Sequence, residues 1–309
     1  MPVLLPGLAL HFYAPPLPRS WLSLPPLPAL PRSERLGRQP PHVFAADYAD
    51  GVEDPKFDAN VIAYVATGVW HHWLLTGDRG FLESMWPVVE RATDFVLDLQ
   101  TPRGEILWAR HPDGTPWSFA LLTGSASICH SLRCAVAVAE EMGHERPDWE
   151  LSLGHLAHVV RTRPAGAFAP KDRWAMDWYY PVLGGAITGD EALTHLASRR
   201  NEFVIDSAPG GGGASLGVRC VSDKDWATAA ETSECAMAYL LAGDRATAID
   251  LFRATLPMRQ SDGRYLTGIV YPDRVTFPDE ECSTYTAAAV IKQAGVSMNL
   301  TSRRDSSRK

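Results

Sequence analysis

The chain lacks most of the features that would classify it quickly. Its five cysteines (Cys129, Cys134, Cys220, Cys235 and Cys282) are odd in number, widely spaced and contain no CxxC pair. That excludes a disulfide framework or a zinc ribbon and predicts buried thiols in a reducing compartment, the cytoplasm. No apolar run reaches the ~20 residues that a bilayer core requires. The most apolar stretch, Val61 to Leu75, contains His71 and His72 and reads as a buried helix. Basic residues are in deficit, with 29 Lys and Arg against 36 Asp and Glu and a formal net charge of -7. Neither nucleic acid nor an anionic membrane surface is therefore an expected partner. The N-terminus has no basic n-region, which argues against a signal peptide. There is no GxSxG, HExxH or GxGxxG, and the glycine run 209–215 lacks the lysine and hydroxyl residue of a phosphate loop. Nothing in the residues calls for a metal or a cofactor.

Proline is abundant, but in one place: 11 of the 24 prolines fall within residues 1–41. Residues 1–46 have neither helical nor strand periodicity and read as a disordered or polyproline segment, or as a misassigned start. A toroid domain is expected over 47–297, and 298–309 reads as a disordered tail.

From Asp58 onward two kinds of helix alternate. One kind is apolar nearly all round, as in ANVIAYVATGVWHHWLL, SASICHSLRCAVAVAEEM, WYYPVLGGAI, WATAAETSECAMAYLLA and STYTAAAVIKQA. A helix without a polar face must be surrounded by protein. The other kind is amphipathic: Met85, Val88, Val89, Ala92, Phe95, Val96 and Leu99 make one apolar stripe. Gly77, Gly143, Gly189 and Gly243 recur as stops, each followed by a residue able to cap the next helix. Buried helices alternating with amphipathic ones predict an all-α fold, an (α/α)6-type toroid of helical hairpins with short β-hairpins in its connecting loops. About five inner and four outer helices are expected, so the ring would be N-terminally incomplete. A helical solenoid is the alternative.

In a toroid the loops before the inner helices converge on one mouth, and here each joins acids to aromatics. They supply Asp54 and Asp58, Trp108 and Trp117, Asp177 with Trp178 and Tyr179, Trp226 with Glu231 and Glu234, and Glu280, Glu281 and Tyr285. Rings stack on apolar sugar faces while carboxylates bind hydroxyls and move protons, so a polyhydroxylated or cationic-intermediate substrate is expected. Other readings stay open. Asp58, Glu280 and Glu281 could be helix caps, Asp177 could cap its own helix, and Glu231 could pair with Arg219. His71, His72 and His130 read as core histidines.

The cadence TGVWHHWLLTGDRGFLESMWPVVERATDFVLDLQ and the segment STYTAAAVI after a glutamate pair resemble the six-hairpin glycosidase superfamily, the glucoamylase-like toroids. The resemblance covers roughly residues 50–295. It implies a carbohydrate-active hydrolase with one carboxylate protonating the leaving oxygen and another activating water. The candidates it suggests are Glu231 and Glu281 (or Glu280), with Asp177 orienting the substrate. The segments LQTPRGEILWA and RQSDGRYLTG are more weakly similar to repeats of the squalene cyclase and prenyltransferase toroids, without their DxDD motif or zinc set. An isoprenoid-handling enzyme and a catalytically silent truncated ring are the alternatives.

Overall fold

The computed structural model describes residues 47–48, 51–52, 56–163, 165–207 and 213–293. The readings made of 1–46 and 298–309, and the candidate Asp54, lie outside these residues. Four helical hairpins follow one another: α1 (Ala59–Thr76) with α2 (Arg79–Leu97), α3 (Leu122–Met142) with α4 (Pro147–Thr162), α5 (Met176–Leu183) with α6 (Gly189–Phe203), and α7 (Ala229–Leu241) with α8 (Arg245–Thr255). A further helix, α9, covers 284–293.

Odd-numbered helices form the inner layer, α1 packing on α3, α3 on α5 and α5 on α7, and each even-numbered helix lies outside its own partner. The division follows from composition. Every residue of α7 from Ala229 to Tyr239 is buried, whereas α2 buries one side through Leu82, Trp86, Val89, Ala92 and Val96. Trp149, Trp178, Tyr179, Phe203, Leu156 and Leu196 fill the space between the layers with no measurable exposure. This is the all-α toroid that the alternation predicts. Among the described residues no helix is long and apolar enough to cross a membrane.

Three of the glycine stops work as expected. Gly77, Gly143 and Gly243 follow α1, α3 and α7 in the left-handed region, at φ 63°, 75° and 93°. Asp78 and Asp244 then cap the next helices, accepting from the Phe81 and Thr247 amides. α5 departs from the pattern and stops after Leu183, well before Gly189. There a Cβ on Gly184 would lie 2.0 Å from the Ala126 carbonyl oxygen, and the Arg133 guanidinium takes up the Gly184 and Gly185 carbonyls.

Short two-stranded ladders join β1 (Asp47–Tyr48) to β2 (Gly51–Val52) and β3 (Phe57–Asp58) to β4 (Ala109–Arg110). The larger element is a five-stranded antiparallel meander of β5 (Val204–Asp206), β6 (Ser215–Arg219), β7 (Trp226–Thr228), β8 (Gly268–Val270) and β9 (Val275–Thr276). Short hairpins in the connecting loops are expected from the sequence, but not their union into one five-stranded sheet. Strands of two to five residues carry too little alternation to be read. β6 also contains Gly217 at φ 134°, where a Cβ would meet that of Ala227 at 2.9 Å.

Candidate active site

The inner helices start at one common end. β3 runs straight into α1 and β7 into α7. The first amide of α1 donates to the Trp108 carbonyl, and that of α7 to the Thr267 carbonyl. Asp177, at the start of α5, accepts from the Thr123 amide and hydroxyl at the start of α3, at 3.2 and 2.5 Å. Asp177 thus caps a neighbouring helix and not its own. Burial pushes its carboxyl pKa up, opposed by the Thr123 hydrogen bonds and the Arg163 charge.

One turn deeper, a carboxylate stands at the centre of the inner layer. Glu234 is 7% exposed, and its oxygens accept three phenolic hydroxyls: Tyr179 at 2.7 Å on Oε2, and Tyr180 at 3.1 Å and Tyr285 at 3.0 Å on Oε1. These donors come from α5 and α9, while Glu234 itself stands on α7. Tyr64 of α1 interacts in turn with the hydroxyls of Ser127 on α3 and of Tyr180. Among the described residues, side chains of α5, α7 and α9 thus meet in one hydrogen-bonded group at Glu234, with Tyr64 of α1 beside it. Burial raises the Glu234 pKa from 4.5 to about 7, the neighbouring Glu231 carboxylate pushes the same way, and the tyrosine hydrogen bonds oppose both. Desolvation and the Glu234 charge push the tyrosine hydroxyls well above 10, so they remain neutral donors.

Glu231 lies three residues earlier on α7 and is 8% exposed. The Thr228 hydroxyl donates to its Oε2; the Thr-x-x-Glu spacing matches a capping box, but Thr228 makes no cap bond to the α7 amides. The Cys220 thiol is a second neighbour. Arg219, a possible partner from sequence, pairs instead with Asp225 at 2.7 Å. The remaining candidates divide between two lips and the core. On one lip, Glu281 accepts from the Thr267 hydroxyl at 2.7 Å, Glu280 is exposed, and Trp226 donates to the Phe277 carbonyl. On the other, Trp108 and Trp117 meet edge to face at 4.9 Å, with the Lys56 ammonium 5.1 Å from the Trp108 ring and 3.9 Å from Asp58. Trp178 faces away into the core, stacked on Phe203 at 5.4 Å with its N–H on the Leu196 carbonyl.

The suspected caps have other uses. Asp58 makes no side-chain cap bond to α1, and α9 is capped by Ser283, which accepts from the Thr286 amide. Tyr180, Tyr64, Ser127 and Thr228 are not singled out by the sequence. Four free thiols are buried, and Cys282 is half-buried. His130 is half-buried, with its pKa lowered to about 4 by desolvation and then by the Arg133 and Lys292 charges. Among the described residues, no group of three or more His, Cys, Asp or Glu is placed to hold a metal ion.

No family model matches the chain. Over 243 residues it is 51% identical to MMP endo-(1,4)-3-O-methyl-α-D-mannosidase of Mycolicibacterium hassiacum, covering 79% of this chain and 65% of that protein. The chain thus spans just under two thirds of that relative's length. Among solved structures it is similar to a D-mannose isomerase, with a TM-score of 0.59 at 10% identity over 81% of this chain and 74% of that one. A GH63 mannosylglycerate hydrolase from Thermus thermophilus gives a TM-score of 0.56 at 12% identity over 82% of each chain. Cellobiose 2-epimerase from Bacillus thermoamylovorans gives 0.56 at 10% identity, over 78% of this chain and 76% of that one. By fold, the chain is an (α/α) toroid.

Proposed function

We propose that this protein is a glycoside-hydrolase-like enzyme acting on a mannose-containing saccharide, with Glu234 as the proton-bearing carboxyl. One observation carries the reading. A glutamate sits at the meeting point of the inner helices, held by three tyrosine hydroxyls, and burial keeps its proton on until about pH 7. A carboxylic acid that is still protonated near neutrality can donate to a departing glycosidic oxygen. Glu231, on the same helix face, is the second carboxylate, acting at the anomeric carbon directly or through water. Glu281 on the lip is the alternative for that role, and Asp177 keeps the starts of α3 and α5 in register. The saccharide class follows the 51% identical relative, which is a 3-O-methylmannosidase by name. Free thiols, four of them buried, fit a reducing compartment such as the cytoplasm.

The isoprenoid alternative has less support. The repeats that suggested it close turns, Gln100 pairing with Ile106 and Arg259 with Tyr265, and the Gln100 amide donates to the Gly104 and Ser152 carbonyls. The test is release of reducing ends from α-(1,4)-mannooligosaccharides, with and without 3-O-methylation. Glu234→Gln should lower turnover by at least about a hundredfold. Of Glu231→Gln and Glu281→Gln, the variant rescued by azide identifies the second carboxylate. Full activity in Glu234→Gln would sink the assignment.

A further inference from the structure

We infer that Trp226 and Phe277 form a platform for the sugar unit beside the one held at the carboxylate pair, so that the substrate is an oligosaccharide chain and not a single sugar. The inference rests on the glycosidase reading and extends it from a reaction to a substrate class.

Trp226 opens β7 two residues before Thr228, the residue whose hydroxyl holds Glu231. Side chains two apart on a strand share a face, ~6–7 Å apart along it. The indole and the Glu231 anchor therefore look to the same side, one sugar unit from each other. The indole is also built in place. Gly268, paired opposite Thr228 on β8, leaves bare backbone where a Cβ would lie 2.4 Å from Trp226 Nε1 and 2.6 Å from the Ala227 carbonyl oxygen. That gap lets the ring lie across the neighbouring strand. Its N–H donates to the Phe277 carbonyl at 3.1 Å, and the Phe277 ring meets it edge-on, with centroids 5.2 Å apart and planes at 89°.

An indole needed only for packing would be enclosed, as Trp149 and Trp178 are. Trp226 remains half-exposed, and Phe277 is 52% exposed. A flat apolar ring fixed at its edge and open on a face suits the apolar face of a pyranose. Beside it, Thr267 adjoins Gly268 and donates to Glu281, whose carboxylate is exposed and can accept sugar hydroxyls. Aromatic face and carboxylate rim are the two parts a neighbouring sugar needs.

The experiment compares kcat/KM on a mannotetraose with kcat/KM on an aryl mannoside carrying one sugar, using the full chain. The ratio should favour the tetraose in the native protein and fall about tenfold in Phe277→Ala and in Trp226→Ala, the loss of one stacking contact. Gly268→Ala, which drives a methyl against both the indole and the Ala227 carbonyl, should lower the ratio in the same direction. An unchanged ratio in all three variants overturns the platform while leaving the glycosidase reading intact. If the native protein cleaves neither substrate, the glycosidase reading falls. Calorimetric binding of mannotetraose then decides the platform: binding weakened about tenfold by Trp226→Ala sustains it, and binding that is absent or unaffected ends it.

Discussion

Glu234 makes the stability of the fold depend on pH in a direction opposite to that of a salt-bridged carboxylate. The folded carboxyl keeps its proton to about pH 7, against 4.5 for an ordinary glutamate. Between those values the folded state binds a proton that the unfolded chain has released, so stability is full at the acid end and falls as pH rises through the window. The gap of about 2.5 in pKa, at about 1.4 kcal/mol per pH unit, corresponds to about 3 kcal/mol, most of it lost between pH 5 and pH 8. Glu234→Gln isolates the effect, because the amide has nearly the same shape, its oxygen still accepts tyrosine hydroxyls, and it does not titrate. The assay is urea unfolding of both proteins at half-unit steps from pH 5 to pH 8. Carboxylates away from Glu234 titrate equally in both proteins and cancel in the difference, which retains only Glu234 and its coupling to Glu231. The variant should gain about 2 to 3 kcal/mol relative to native across the range. A difference independent of pH would show that Glu234 does not titrate near pH 7 and would remove the proton affinity on which its assigned role rests.

The same carboxyl sets the pH profile. Activity that needs protonated Glu234 should fall as pH rises through about 7, and Tyr285→Phe should move that alkaline limb upward, since it removes a donor to the ionised form; a limb that stays put or moves down would refute this. Asp177→Ala strands the Thr123 amide and hydroxyl in a part-buried place and should cost about 1–2 kcal/mol in urea unfolding, with Asp177→Asn costing less. Gly184→Ala drives a methyl against the Ala126 carbonyl, so it should destabilise by about 3 kcal/mol or more by forcing α3 and α5 apart.

Much of the architecture was legible because burial leaves a compositional trace. A helix such as α7, alanine-rich and enclosed all round, cannot be mistaken for α2 with its single stripe. Glu231 and Glu234 could be picked out for the same reason, as acids where acids are costly. The tyrosines around Glu234 were only half legible. Tyr64, Ser127 and Glu234 each occupy the sixth position of their helix, and Tyr180 the fifth. That common depth would have marked them as one group, had the helix starts been known to within a residue. They were not, and the reason is physical. The outer helices α2 and α8 announce themselves with capping aspartates, whereas α1, α3, α5 and α7 have no such local cap bond. The first amides of α1 and α7 are met by distant carbonyls, and the start of α3 is met by Asp177. A start that is satisfied across the fold leaves no nearby signature.

The same point explains why one short helix collects so many rings around one acid. α5 has only eight residues, with Pro181 inside it, and Gly184 ends it against α3. Successive side chains on a helix point about 100° apart, so four consecutive residues face four ways. Asp177 reaches α3, Trp178 reaches α6 through the Leu196 carbonyl, and Tyr179 and Tyr180 reach Glu234 on α7. A longer helix could spread these contacts over several turns, but α5 makes them in one. The aromatic density is the consequence: large rings span the gaps to three neighbours, and their polar tips find partners at the far side. Because the same turn holds both the cap of α3 and two donors of Glu234, a change that shifts α5 should disturb the register of the inner ring and the proton affinity of its central carboxyl together. Stability and pH profile should therefore move as one in α5 variants and separately in variants of the lips.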